Sequence, residues 1–232
     1  MNQTLQTNQS WDADGTVSVV QRNRVLRNTY WLLALSMVPT VLGAWIGVST
    51  GLANALSPGI SLVVFLAGAF GFMFAIEKTK NSAAGVPMLL AFTFFMGLML
   101  SRLVGTVLGF ANGASLVMTA FAGTGAVFLG MASLSTVIKR DLSAMGKWLF
   151  VGAIMLLVAG IANFFIQSGA LMMTLSVAAI GIFSAFILHD LKRVQDGLET
   201  NYISATLGVY LSIYNMFQSL LALLGIAGGR DE

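Results

Sequence analysis

The sequence predicts an all-α integral membrane protein of seven transmembrane helices, and three observations carry that prediction. Hydrophobic residues make up 57% of the 232-residue chain and charged residues only 9%, with a mean hydropathy of +0.85, which leaves too little polar surface for a water-soluble domain. The apolar residues fall in unbroken runs of about 20, the length a helix needs to cross a hydrocarbon core of roughly 30 Å, and lack the alternation of a barrel strand. Lys and Arg sit in alternate connections between those runs.

Taken in order, residues 1–21 are polar, carry Asp12 and Asp14, and show no apolar periodicity, so they read as a disordered cytoplasmic tail ahead of a transmembrane domain at 22–232. Arg22, Arg24 and Arg27 precede a first span at about Thr29 to Leu52, with Tyr30 and Trp31 placed as interfacial aromatics. The basic flank, the apolar run and Ala53-Asn54-Ala55 imitate a signal peptide. The long leader and the long run argue against cleavage. Further spans are expected at about Pro58 to Ile76, Val86 to Leu108, Ala114 to Ile138, Lys147 to Ile166, Ala170 to Leu188 and Ile203 to Ile226.

The connections at 53–57, 109–113 and 167–169 hold no Lys or Arg. Arg22, Arg24, Arg27, Lys78, Lys80, Lys139, Arg140, Lys147, Lys192 and Arg193 all fall on the other side of a seven-span layout, leaving only Arg102 and Arg230 of the twelve basic residues. The positive-inside rule then puts the N-terminus in the cytoplasm and the C-terminus outside. The formal charge of +3 is therefore a topology signal rather than a nucleic-acid footprint.

Several function classes drop out. The chain has no cysteine and one histidine, His189, so thiolate, zinc and haem sites lack ligands. There is no phosphate-binding Gly-x-x-x-x-Gly-Lys-Ser/Thr loop and no His-Glu-x-x-His pair, and Gly123-Thr124-Gly125 lacks the third glycine of a dinucleotide loop. The expectation is a non-enzyme with no cofactor and no resident metal.

Unusual polar chemistry gathers between residues 183 and 219. In the last span Gly208, Ser212, Asn215 and Ser219 recur at i, i+4, i+7 and i+11, one small polar face of a helix, and Asp190, Tyr210, Ser212 and Asn215 together form a candidate gate or polar core. Hydroxyls and an amide are poorly placed against lipid, which predicts a helix at the centre of the bundle. Asp190, at the end of the sixth span, is either a solvated helix-end residue beside Lys192 and Arg193 or a buried, pH-responsive group. Arg102, about 16 residues into the third span, is expected to snorkel to the outer interface.

Three stretches also carry a family resemblance: Val25-Leu26-Arg27-Asn28-Thr29-Tyr30, Ala162-Asn163-Phe164-Phe165-Ile166-Gln167, and Glu199-Thr200-Asn201-Tyr202-Ile203-Ser204-Ala205-Thr206, extended by Tyr210 and Tyr214-Asn215-Met216-Phe217. From about Arg24 to its end the chain resembles the Bax inhibitor 1 family of seven-helix membrane proteins, and within it the bacterial inner-membrane branch that modulates the protease FtsH. The resemblance implies a last helix surrounded by the other six, and FtsH as a partner engaged through the cytoplasmic N-terminal tail. It also implies an alternative, a pH-sensitive calcium or cation leak gated by a pair of aspartates. Asp190 matches the first aspartate, but the second falls on Ser212, and a serine cannot reproduce the coupled titration of two carboxylates.

Overall fold

The computed structural model describes residues 19–228, which are helical with short connections and contain no strand. In chain order the elements are α1 (Val19–Thr50), α2 (Leu52–Ala55), α3 (Pro58–Thr79), α4 (Gly85–Leu108), α5 (Gly113–Val137), α6 (Ser143–Ile166), α7 (Gly169–Gln195) and α8 (Tyr202–Gly228). All but the four-residue α2 are long and apolar enough to span a membrane, so the protein is a multi-pass membrane protein. The tail expected at 1–21 lies outside the described residues up to position 18, and its last three residues belong to α1.

Two helices extend well past their predicted spans. At 32 residues, α1 is about 48 Å long at 1.5 Å per residue, so its first turns run beyond a roughly 30 Å hydrocarbon core. Hydropathy located only the part that must be dry. α7 likewise continues to Gln195, seven residues past the expected span end at Leu188, so His189, Asp190, Lys192 and Arg193 all lie on helix. The continuation is stabilised locally. Lys192 and Arg193 occupy the last turn, where cations complement the free carbonyls, and Lys192 Nζ lies 2.5 Å from Asp196 Oδ1.

The exterior is apolar, as lipid requires: Trp31, Phe70, Phe121, Trp148 and Phe165 are all exposed. α8 is the most buried span and packs against α1, α4, α5 and α7. The resemblance implied that all six other helices would surround it. Instead α3 and α6 are outer helices whose principal partners are α4 and α7.

The most extensive contact is between α1 and α4, which are not consecutive spans. Its cause is visible in two small-residue pairs, Gly43 and Gly47 on α1 facing Gly97 and Ser101 on α4. A Cβ on Gly97 would run into the Thr40 carbonyl, one on Gly43 into the Phe94 carbonyl, and one on Gly47 into the Ser101 side chain. In lipid there is no hydrophobic drive between helices, so this backbone approach and the dispersion contacts it permits supply the association.

Candidate functional site

The Lys/Arg-rich end of the bundle is tied together by side chains from distant elements. Arg22 Nη1 donates to the Gln195 carbonyl at 3.0 Å, and Gln195 Nε2 donates to Ser135 Oγ at 2.8 Å, linking α1, α7 and α5. Beneath Arg22, Val25 is buried with Val194 and Ala205 in a small cluster joining α1 to α7 and α8.

Asn201 organises the start of α8. Its Oδ1 accepts from the backbone N–H groups of Ile203 (2.9 Å) and Ser204 (3.1 Å), two of the donors a helix start leaves open. Its Nδ2 donates to the Lys80 carbonyl and to Asn81 Oδ1 at 2.8 Å, fastening α8 to the α3–α4 connection, while Glu199 Oε1 accepts from the Asn201 N–H. Asn163 does similar work between α6 and α7. Its Oδ1 accepts from the Ser168 N–H at 3.1 Å, across the left-handed Gln167 at φ 55°. Two of the stretches that carry the family resemblance are thus helix-capping devices.

Asp190 lies where α7 meets α8. Its side chain is 17% exposed, with Oδ1 3.1 Å from His189 Nδ1. Oδ2 sits against Gly208, 2.9 Å from where a Cβ would be. The residue it faces is therefore Gly208, one turn before Ser212. The Ser212 hydroxyl is buried and donates to the Gly208 carbonyl at 3.0 Å. Asn215 Nδ2 donates to the Leu211 carbonyl at 2.8 Å, and Ser219 Oγ to the Asn215 carbonyl at 2.7 Å. Each of these three side chains donates to a carbonyl of its own helix, which helps the face tolerate an apolar bundle, and among the described residues none of them bonds to another helix.

Tyr210 belongs to the opposite face, about 160° around α8 from Gly208 by helical geometry. It is almost fully buried, with its hydroxyl 2.9 Å from Thr40 Oγ1 of α1 and 3.4 Å from the Thr93 carbonyl of α4. One turn on, the Tyr214 hydroxyl donates to the Met96 carbonyl at 3.2 Å. Residues assigned to one polar core from sequence thus divide into an Asp190 side toward α7 and a Tyr210 side toward α1 and α4. Sequence reasoning missed Thr40 and Thr93, and it named Tyr214 without assigning it to the site. The available signal was the small-residue spacing Gly43-x-x-x-Gly47 and Gly97-x-x-x-Ser101, which marks α1 and α4 as the pair these residues join.

Arg102 is at the other end of the bundle, where its Nη2 donates to the Leu56 carbonyl at 2.9 Å, just after α2. His189 lies over α6, its Nε2 2.6 Å from where a Cβ on Gly146 would stand. Asp141, in the α5–α6 connection, receives the Ser143 N–H at 2.8 Å, and its hydrogen bonds with Ser143 hold its carboxyl below the usual range. Among the described residues no three His, Asp or Glu side chains converge as metal ligands. A lone carboxylate at Asp190 falls far short of the 6–8 oxygens calcium prefers.

Comparison with known proteins places this architecture. A "Modulator of FtsH protease YccA" of Escherichia coli (strain K12) is 36% identical over 214 residues, 92% of this chain and 94% of the relative. An "Uncharacterized membrane protein" of Vibrio cholerae is 37% identical over 212 residues, 91% and 93% of the two chains. An "Inner membrane protein YccA" of Escherichia coli O6:H1 matches at 36% over the same 92% and 94%. The sequence model for "Inhibitor of apoptosis-promoting Bax1" matches residues 22–229, and the chain belongs to this family, Bax1-I, the Bax inhibitor 1 family.

Proposed function

We propose that the chain is a non-enzymatic modulator of a membrane-bound ATP-dependent protease of the FtsH type in the bacterial inner membrane, engaged through its N-terminal residues 1–18 on the cytoplasmic side. The observation that carries this reading is the end-to-end similarity to the Escherichia coli protein named as a modulator of FtsH protease. The basic residues at one end support an N-terminus in the cytoplasm and a C-terminus outside.

The physical logic concerns extraction. A processive protease needs a handle, and the polar segment before Val19 supplies one. A pull on it first meets the Arg22–Gln195 bond and the Val25, Val194 and Ala205 cluster, and then the α1–α4 contact. Separating those helices would expose polar groups and cost close packing, so the substrate would be held but yield slowly. The test is deletion of residues 2–18. Turnover of the chain by FtsH, and its effect on other FtsH substrates, should both be lost. Unchanged turnover and an unchanged effect would refute the handle.

A second reading, a calcium or cation leak, is favoured by one observation, the part-buried Asp190 carboxylate at the α7–α8 contact. Calcium-loaded liposomes carrying the purified protein decide it. Flux abolished by Asp190→Asn would support a leak, and an absence of flux above empty liposomes would exclude one.

A further inference from the structure

We propose that the outward face of α1 at the Lys/Arg-rich end is a binding site for an anionic phospholipid, with the phosphate on Arg27 and an acyl chain laid along the helix below it. Asn23, Leu26, Arg27, Tyr30 and Trp31 line an open groove of about 440 Å³ there. Its polarity is graded along the helix axis. Exposed Asn23 and Arg27 come first, then Tyr30, set edge-on against Phe128 of α5, and Trp31 at 74% exposed. Exposed Val38 and Leu42 follow on the same stripe. From Arg27 to Leu42 is about 22 Å at 1.5 Å per residue, so the face presents cation, amphipathic aromatics and hydrocarbon in the order and at the scale of phosphate, glycerol ester and acyl chain.

Charge selects the occupant. Elsewhere at this end Lys80 pairs with Glu77, Lys192 with Asp196, and Arg193 lies 3.9 Å from Glu199. Lys78 stacks over Phe74, and Lys139, Arg140 and Lys147 are exposed cations away from the groove. Among the described residues Arg24 and Arg27 have no carboxylate within ion-pairing distance, and both are exposed. A guanidinium at the level of the headgroups, one turn from an interfacial Trp and without an ion pair among the described residues, favours a phosphate whose charge is not cancelled by a headgroup amine. Asp12 and Asp14 of the N-terminal segment are the competing anions, and the experiment separates them from lipid.

Trp31 is the reporter. A variant with Trp11, Trp45 and Trp148 replaced by Phe is reconstituted in mixed phosphatidylcholine and phosphatidylglycerol vesicles, with one lipid or the other brominated on its acyl chains. Brominated phosphatidylglycerol should quench Trp31 with a preference over phosphatidylcholine of about fivefold per participating arginine. Arg24→Gln with Arg27→Gln should bring the ratio to about one, whereas Arg27→Lys should keep most of it, because a lysine ammonium still attracts the phosphate as a point charge. Equal quenching by the two lipids, or a preference that survives the double substitution, overturns the site. So does a preference that emerges only after residues 1–18 are deleted, which would give the arginines to Asp12 and Asp14.

Discussion

Gly97 of α4 lies so close to Thr40 of α1 that a Cβ on the glycine would occupy the space of the Thr40 carbonyl oxygen. The obstruction is backbone on both sides, so no rotamer change relieves it, and Gly97→Ala must force the two helices apart. We expect a loss of about 1–3 kcal/mol, the usual range for overpacking, measured by thermal or denaturant unfolding in detergent. Gly71→Ala and Gly160→Ala are the controls. Neither glycine has a neighbour within 4 Å of the added Cβ, so each should be neutral or slightly stabilising.

Thr40 also meets Tyr210 through its side chain, 2.9 Å from Oγ1 to the phenolic oxygen. Tyr210→Phe keeps the ring packed against Phe92 and removes only the hydroxyl. The expected cost is about 1 kcal/mol, in line with hydrogen bonds between membrane helices. A double-mutant cycle with Thr40→Val should return a coupling of about 0.5 kcal/mol or more. Strict additivity of the two single changes would show that the contact contributes nothing.

Asn201 performs two tasks that substitution can separate. Asn201→Ala loses both the cap on α8 and the link to the α3–α4 connection, and should cost about 1–2 kcal/mol. Asn201→Asp keeps the acceptor for the Ile203 and Ser204 N–H groups but loses the amide donor to Lys80 and Asn81. Its stability should therefore fall between wild type and the alanine variant. Equal losses for both variants would assign the whole effect to the inter-loop link.

The depressed carboxyl of Asp141 gives a pH dependence of known sign. A group whose pKa is lower folded than unfolded contributes its stability in full above its unfolded value, about 3.9, and loses it as pH falls toward the folded value. Asp141→Asn should therefore be less stable than wild type at neutral pH. The two should converge below about pH 4 in unfolding measurements across an acid series, and a difference unchanged with pH would remove the Asp141 carboxylate as its cause.

The number of membrane-crossing helices and the clustering of basic residues were legible in the sequence because both are local properties. A run of about 20 apolar residues must cross as a helix whatever surrounds it, since lipid offers its backbone no other hydrogen-bond partner. The polar face Gly208, Ser212, Asn215 and Ser219 was equally legible, because helical periodicity depends only on spacing. Outside the dry core hydropathy has no hold, which is why the first turns of α1 and the last of α7 were not foreseen.

Tertiary structure alone decided which faces meet. Every span is apolar, so hydropathy does not distinguish one neighbour from another, and partner choice falls to close packing and to single hydrogen bonds. That is why α1 pairs with α4 through Gly43, Gly47 and Gly97, and why Tyr210 turns toward Thr40 and Thr93. It is also why Asp190 comes to rest against Gly208 rather than Ser212. A shift of one helical turn, about 5.4 Å, would exchange those two partners, and only the register of α7 against α8 sets it.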